Sequence, residues 1–439
     1  MSASVYDSAL YRGLFGDDAV AQLLSDSAEV RAMMIALGAL AKVQGAAGVI
    51  PDVSGAFLHR SSMEVQVDPG GLATATGTNG VTVPGLVAAF RAALDAPEHA
   101  QYLHWGATSQ DIQDTGLVLR MRQVLALVEE RLKTALTGLA DLAEAHAELP
   151  QAARTYGQVA VPSSFGALVA GWGWPLLRVM ERLPEIRSGL AVSLSGAAGT
   201  ASQLGPDPVA LRAAWAEALG LADPGHSWHA DRSRIVELGQ WFSAVAQGGA
   251  KMGEDLVRLT RSDVGEVRLG GTGASSTMPQ KQNPVTPSVL VALGRSASAQ
   301  AAALGAPHGE ARDGAGWFTE WLTLPLLAAA AGRASALVAE VAGQVVPVPS
   351  VLAGRLDDGV GLIHAEALSF ALAADMPRPE AQAEVKRLAA TARDTGRALP
   401  KLVAEAFPGT ALPDLTPPAS LGQAPAEARA FAAAARAVL

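Results

Sequence analysis

Residues 115–149 read TGLVLRMRQVLALVEERLKTALTGLADLAEAHAEL, and Pro150 follows. Within them Met121, Val124, Leu125, Val128, Leu132, Ala135, Leu136, Leu139 and Leu142 recur mainly in steps of three and four residues. That spacing gathers side chains into one stripe along an α-helix. At a rise of about 1.5 Å per residue the helix runs some 40 Å or more, beyond ordinary globular needs. A stripe of that length is buried lengthwise against other helices, as in a bundle.

Two further patterns repeat the design. One runs from Arg234 to about Thr260, with Leu238, Trp241, Phe242, Val245, Met252, Leu256 and Leu259 on its stripe. The other starts near Pro287, a residue tolerated in a helix's first turn, and continues through Val291 and Leu293 into Ala-rich sequence. Asp26–Val49 is a shorter helix stopped by Pro51, and Met63–Val83 reads as loops with a short helix. No run of alternating strands occurs, nor a Gly-x-Gly-x-x-Gly after a strand. The expectation is an all-α fold with a central bundle of long helices. Apolar faces this long exceed what one chain can cover, which implies oligomerisation.

With 439 residues, two or three domains are expected at about 100–200 residues each. The shift to VPVPS at Val346–Ser350 marks a boundary. The division is an N-terminal helical domain (1–106), a long-helix domain (107–347) and a C-terminal helical domain (348–439). In the last, Asp357–Thr395 reads as a small helical unit and Pro408–Pro418 as a crossing before a final helix.

Apolar residues make up 49% and aromatics 5%, which favours Ala/Leu/Val-packed helices over aromatic-rich sandwiches. A net charge of −9 argues against a nucleic-acid partner, so cations for an anionic ligand must be gathered locally. Cysteine is absent, which excludes disulfides, thiolate nucleophiles and Cys-based zinc sites. The N-terminal MSASVYDSALYRGLFGDD lacks a basic segment followed by an apolar core. Apolar stretches such as Leu322–Ala331 are too short and Ala-rich to span a bilayer. The expected setting is cytoplasmic, with no membrane.

The segment Gly270–Pro284, GGTGASSTMPQKQNP, carries the chemistry. Gly270, Gly271, Gly273 and Ala274 make its backbone permissive. Ser275 and Ser276 add hydroxyls, Lys281 a cation, and Asn283-Pro284 leads into a helix. Such a loop suits proton transfer at carbon next to a carboxylate. Four other polar clusters interrupt the helical pattern. His104–Asp111 (HWGATSQD) places Thr108 and Ser109 near a helix start, where anions are favoured; capping by Asp114 or Thr115 explains only one or two of its residues. Arg154-Thr155-Tyr156-Gly157-Gln158 enters another helix-like stretch, and on its own Tyr156 reads as a buried phenol. In His226–Arg234 the two His lack metal-site spacing, and Arg232 and Arg234 read as carboxylate forks, Arg234 equally well as a helix-surface arginine. Arg312-Asp313 precedes Trp317, Glu320 and Trp321, where a structural role is at least as good a reading as a catalytic one.

GASSTMPQKQNP (273–284) resembles the signature loop of the fumarase/aspartase superfamily, G-S-S-x-M-P-x-K-x-N-P. HWGATSQDIQDT (104–115) and RTYGQVAVPSSFG (154–166) resemble its first two conserved regions. GATSQD (106–111), WHADRSRIVE (228–237) and LGQAPA (421–426) resemble the bacterial 3-carboxy-cis,cis-muconate cycloisomerase family, of protocatechuate breakdown in the β-ketoadipate pathway. The resemblance implies a three-domain helical subunit, a homotetramer whose active sites are shared between subunits, no cofactor and no metal. It also implies a small tricarboxylate substrate that is lactonised by intramolecular carboxylate addition to a double bond.

By matched position Ser275 is the base in the elimination direction, hence the proton donor in lactone formation. Lys281 and Asn283 hold substrate carboxylate and order the loop. Thr108 and Ser109 bind anion, as do Thr155 and Gln158. His104, Arg154, Tyr156, Arg232, Ser276, Met278 and Arg312 complete the implied substrate-binding set. Three departures stand out. Tyr156 occupies the place of a His that helps protonate the leaving group in many superfamily lyases. Ala274 replaces a Gly. Residues 307–312 keep only Arg312 of the usual Glu-His-Glu-Arg register. A carboxylate leaving group, with a pKa of about 4, needs little proton assistance, so Tyr156 fits a cycloisomerase. An adenylosuccinate-lyase-like enzyme expelling an amine and releasing fumarate is the alternative, and a non-catalytic structural homologue a third reading.

Overall fold

The computed structural model describes residues 4–270, 273–274, 278, 281–305, 308–356 and 359–439; 68% of the protein is helical. The chain passes through α1 (Asp26–Ala46), α2 (Ser109–Ala145), α3 (Phe165–Glu181), α4 (Ser233–Leu259), α5 (Val285–Leu304) and α6 (Gly314–Ala342), with shorter helices between. The stripe expected on α2 is realised from Met121 to Leu139: Met121, Val124, Leu125, Val128, Leu132, Ala135, Leu136 and Leu139 are all at 0% exposure, while Leu142 is only half-buried. Each buried Leu or Val contributes about 1.5–3 kcal/mol, which outweighs the intrinsic helix preference of any one residue. All seven stripe residues of α4 are buried as well, and Pro287 sits in the first turn of α5.

Two expectations shift. Helix α2 starts at Ser109, six residues before Thr115, and ends at Ala145, before Leu149. The stretch around Tyr156 is a hairpin and not a helix entry: Pro150–Thr155 pairs antiparallel with Gln158–Ser164, and α3 begins only at Phe165. Its two turn residues, Tyr156 and Gly157, have φ of 53° and 76°. Left-handed backbone at both positions matches the twist of the flanking strands.

By contacts the chain forms two compact units, and their boundaries fall inside the long helices. One comprises Met1–Arg131, Val179–Gln247 and Ala292–Ala336. In it α1, capped by the Ser25 hydroxyl, packs on helix Asp52–Glu64. The approach is close enough that a Cβ on Gly38 would fall 1.8 Å from Ser62 Oγ. Met33, Leu37, Leu58, Phe90 and Trp215 fill the adjoining core. The other unit comprises Leu132–Arg178, Gly248–Val291 and Leu337–Leu439. There Val267–Leu269 pairs with Val345–Pro347, and Leu368, Leu372, Val385, Leu399 and Val403 form a small core. Helix α6 is long and apolar enough to cross a membrane, with a mean hydropathy of 1.5 over its most apolar window. Within the protein 61% of that window is buried, as in a core helix.

Candidate active site

Thr108 stands just before α2, and Asp111, in its first turn, accepts a hydrogen bond from the Thr108 amide at 2.9 Å. That is one half of a capping box. In the other half the threonine hydroxyl would accept from a first-turn amide; here Thr108 Oγ1 accepts from Arg312 Nη1 at 3.2 Å. With a lone pair held by a cation, the hydroxyl keeps its proton to donate. A helix N-terminus, an arginine and a hydroxyl meet in a corner suited to a carboxylate; Thr108 is 7% exposed and Ser109 half-buried beside it.

His104 is largely buried, and its Nε2 has no hydrogen-bond partner. Burial lowers its pKa from the ordinary 6.5, against the raising pull of the Thr108 backbone and Asp111. As pH falls below about 6.5 the unfolded chain takes up a proton there before the folded protein does, so stability is lost with acidification. His104→Gln is expected to shrink the fall in thermal midpoint between about pH 7.5 and 5.5. An unchanged fall would mean that His104 titrates freely in the fold.

Behind the corner lies a buried ion network. Arg232, 5% exposed, donates through Nη1 and Nη2 to Asp114 at 2.6 and 3.0 Å, and through Nε and Nη2 to Glu320 at 2.8 and 2.7 Å. Its guanidinium lies 4.7 Å from the Trp228 ring centroid, and Trp317 Nε1 also donates to Asp114. Burial acts to lower the Arg232 pKa, but Asp114 and Glu320 together raise it. This corrects the reading of Arg232 as a fork for substrate: its fork is closed on protein carboxylates. His308 Nε2 lies 2.9 Å from Glu320 without meeting hydrogen-bond geometry. Asp313 caps α6, accepting from the Ala315 and Gly316 amides.

In the second unit Arg154 is likewise taken. It binds Glu266 through both Nη atoms, Nη1 at 3.1 Å, and Gln151 Nε2 donates to the same carboxylate. Glu266 is fully buried. Arg154 therefore anchors the hairpin, which corrects its assignment to substrate. Thr155, Tyr156 and Gln158 are exposed at the tip; Tyr156, at 105% exposure, is no buried phenol. The signature loop closes at its base, where Gly273 pairs with Asn283 and Ala274 with Gln282. Met278 and Lys281 are exposed and Asn283 is half-buried. Ser275 and Ser276 lie outside the described residues.

Three residues read from the sequence as site residues have left-handed backbone: His104 (φ 65°), Tyr156 (φ 53°) and Arg312 (φ 57°). Non-glycine residues held there cost about 1–3 kcal/mol each and concentrate at functional sites. The sequence reading missed Asp111, His229 and Glu320 as partners. Their available signal was charge where a long helix should be apolar: Gln110, Asp111, Gln113 and Asp114 are all buried in α2's first turns, which only internal pairing permits.

Comparison with known proteins gives the chain's family. A family model described as "Lyase" matches residues 11–299. The chain is 37% identical to 3-carboxy-cis,cis-muconate cycloisomerase of Pseudomonas aeruginosa, covering 87% of this chain and 85% of that protein. It is 33% identical to nitrosuccinate lyase of Streptomyces davaonensis, covering 92% and 88%. Among solved structures, the 3-carboxy-cis,cis-muconate lactonizing enzyme from Pseudomonas putida matches with a TM-score of 0.89 and 30% identity, covering 98% of this chain and all of that one.

Proposed function

We propose that this chain, which belongs to the lyase family, cycloisomerises 3-carboxy-cis,cis-muconate to its carboxymuconolactone. The likeness to cycloisomerases along most of its length carries the reading. One substrate carboxylate oxygen adds to a carbon of the diene, forming the lactone C–O bond. The electron pair of the broken double bond gathers next to a second carboxylate as an aci-carboxylate dianion. Ser275 then gives its proton to that carbon and is reprotonated from solvent. Lys281, on its exposed loop, stabilises the dianion, since an ammonium aimed at developing charge is strongest in a water-poor site. Thr108 donates its free hydroxyl proton, with Arg312 behind it, to a substrate carboxylate. Thr155 and Gln158, at the hairpin tip, supply further polar contacts. No group need protonate a leaving carboxylate, which accords with a phenol at 156.

The reading brings with it the three-domain division at 106/107 and 347/348, a cytoplasmic setting and a homotetramer with shared sites. Supporting assembly, Phe318 and Leu322 on α6 expose 42% and 72% of their surface in the single chain. The test mixes purified protein with 3-carboxy-cis,cis-muconate and follows diene ultraviolet absorbance, which is expected to fall. Unchanged absorbance, with turnover of adenylosuccinate or nitrosuccinate instead, would replace this reading with a C–N lyase.

A further inference from the structure

We propose that Asp111 is a positioning residue of the active site, one carboxylate that sets the geometry of the anion-binding corner by holding the backbone of two loops and the imidazole of a third. Its Oδ2 accepts from the Thr108 amide and from the Gly196 amide, each at 2.9 Å. Its Oδ1 accepts from the Ser195 amide at 2.9 Å and from His229 Nε2 at 2.8 Å. Four donors saturate the roughly four lone-pair sites of an ionised carboxylate, and at 0% exposure no solvent substitutes for them. Helix capping needs only the Thr108 bond; the other three reach residues more than eighty positions away.

The two loops cannot hold their shape by local preference. His104, Gly106, Gly196, Ala198, Gly199 and Ala201 all have positive φ, and alanine disfavours that region. They are also pressed together: a Cβ on Gly106 would fall 2.3 Å from the Gln203 carbonyl oxygen. The third loop is tied twice, through His229 Nε2 and through Gln110 Nε2, which donates to the His229 carbonyl at 3.0 Å. Because Asp111 occupies the Thr108 amide from below, the Thr108 side chain is left to pair with Arg312 and face the substrate. The Ser195–Ala201 turn then forms a second wall at a fixed distance from Thr108, with Ala197, Ala198 and Thr200 exposed on it. The substrate part of this inference rests on the cycloisomerase reading; the tether itself does not.

Asp111→Asn is nearly isosteric, but its amide nitrogen meets amide donors where an oxygen accepted. Leaving buried donors unpaired, it is expected to raise KM for 3-carboxy-cis,cis-muconate about 10–100-fold while kcat changes no more than about 3-fold. Hydrogen exchange should quicken in peptides covering 104–111 and 193–203 and stay unchanged in α4. A wild-type KM, a loss confined to kcat, or exchange quickened evenly along the chain would overturn the proposal. Should Asp111→Asn not fold, His229 supplies the second arm. His229→Leu removes one donor and should raise KM about 5-fold, whereas His229→Gln restores a donor and most of the affinity. Equal effects of Leu and Gln would also overturn it. If wild-type protein leaves the diene untouched, the cycloisomerase reading fails, and the exchange pattern alone decides on the tether.

Discussion

Ser275→Ala is expected to lower turnover of 3-carboxy-cis,cis-muconate by about 10²–10⁴-fold, the usual contribution of a positioned proton-transfer group. The loss should fall on kcat, since the hydroxyl matters most while charge develops at carbon. Assembly mass and thermal midpoint should stay near wild type, because the backbone pairing of Gly273–Ala274 with Gln282–Asn283 does not depend on a side chain at 275. Reaction in deuterated water reports the same step: wild-type product should carry deuterium at the protonated carbon with a single stereochemistry. Ser275→Ala turning over at the wild-type rate would move the proton-transfer role to another group.

Arg232→Met should cost about 3–5 kcal/mol of stability. The substitution keeps much of the side-chain volume but strands two acidic groups, Asp114 and Glu320, at 1% and 3% exposure. Apart from His308, 2.9 Å from Glu320, no described partner would offset their mutual repulsion and lost hydration. Replacing all three at once (Arg232→Met, Asp114→Leu, Glu320→Leu) should recover most of the loss, since a buried ion network is often no more stable than an apolar one of similar volume. Urea midpoints of the two variants check this. A single-variant loss under about 1 kcal/mol would show that water reaches the network.

The long helices could be read from sequence because their stabilising term is burial, and burial leaves a period of three and four residues. The eight stripe residues from Met121 to Leu139 are each at 0% exposure, as their spacing demanded. The start of α2 was misplaced because Asp111 and Asp114 look like residues that precede a helix; in isolation they would be. They sit inside it since the first is bound by the Ser195 and Gly196 amides and His229, and the second by Arg232, all distant in sequence. The hairpin at 150–164 was missed for a similar reason. Tyr-Gly is a weak turn signal, and what settles the turn is the Glu266 carboxylate gripping Arg154 and Gln151.

Sequence alone therefore determined the all-α class and the helical faces, because periodicity is a local property of the chain. Only the tertiary structure decided which charged groups are closed on protein carboxylates. Arg312 meets the Thr108 hydroxyl, while Arg232 and Arg154, chemically the same, are closed on Asp114, Glu320 and Glu266. A guanidinium's role depends on whether a carboxylate lies within hydrogen-bond reach, and that distance exists only once the chain is folded.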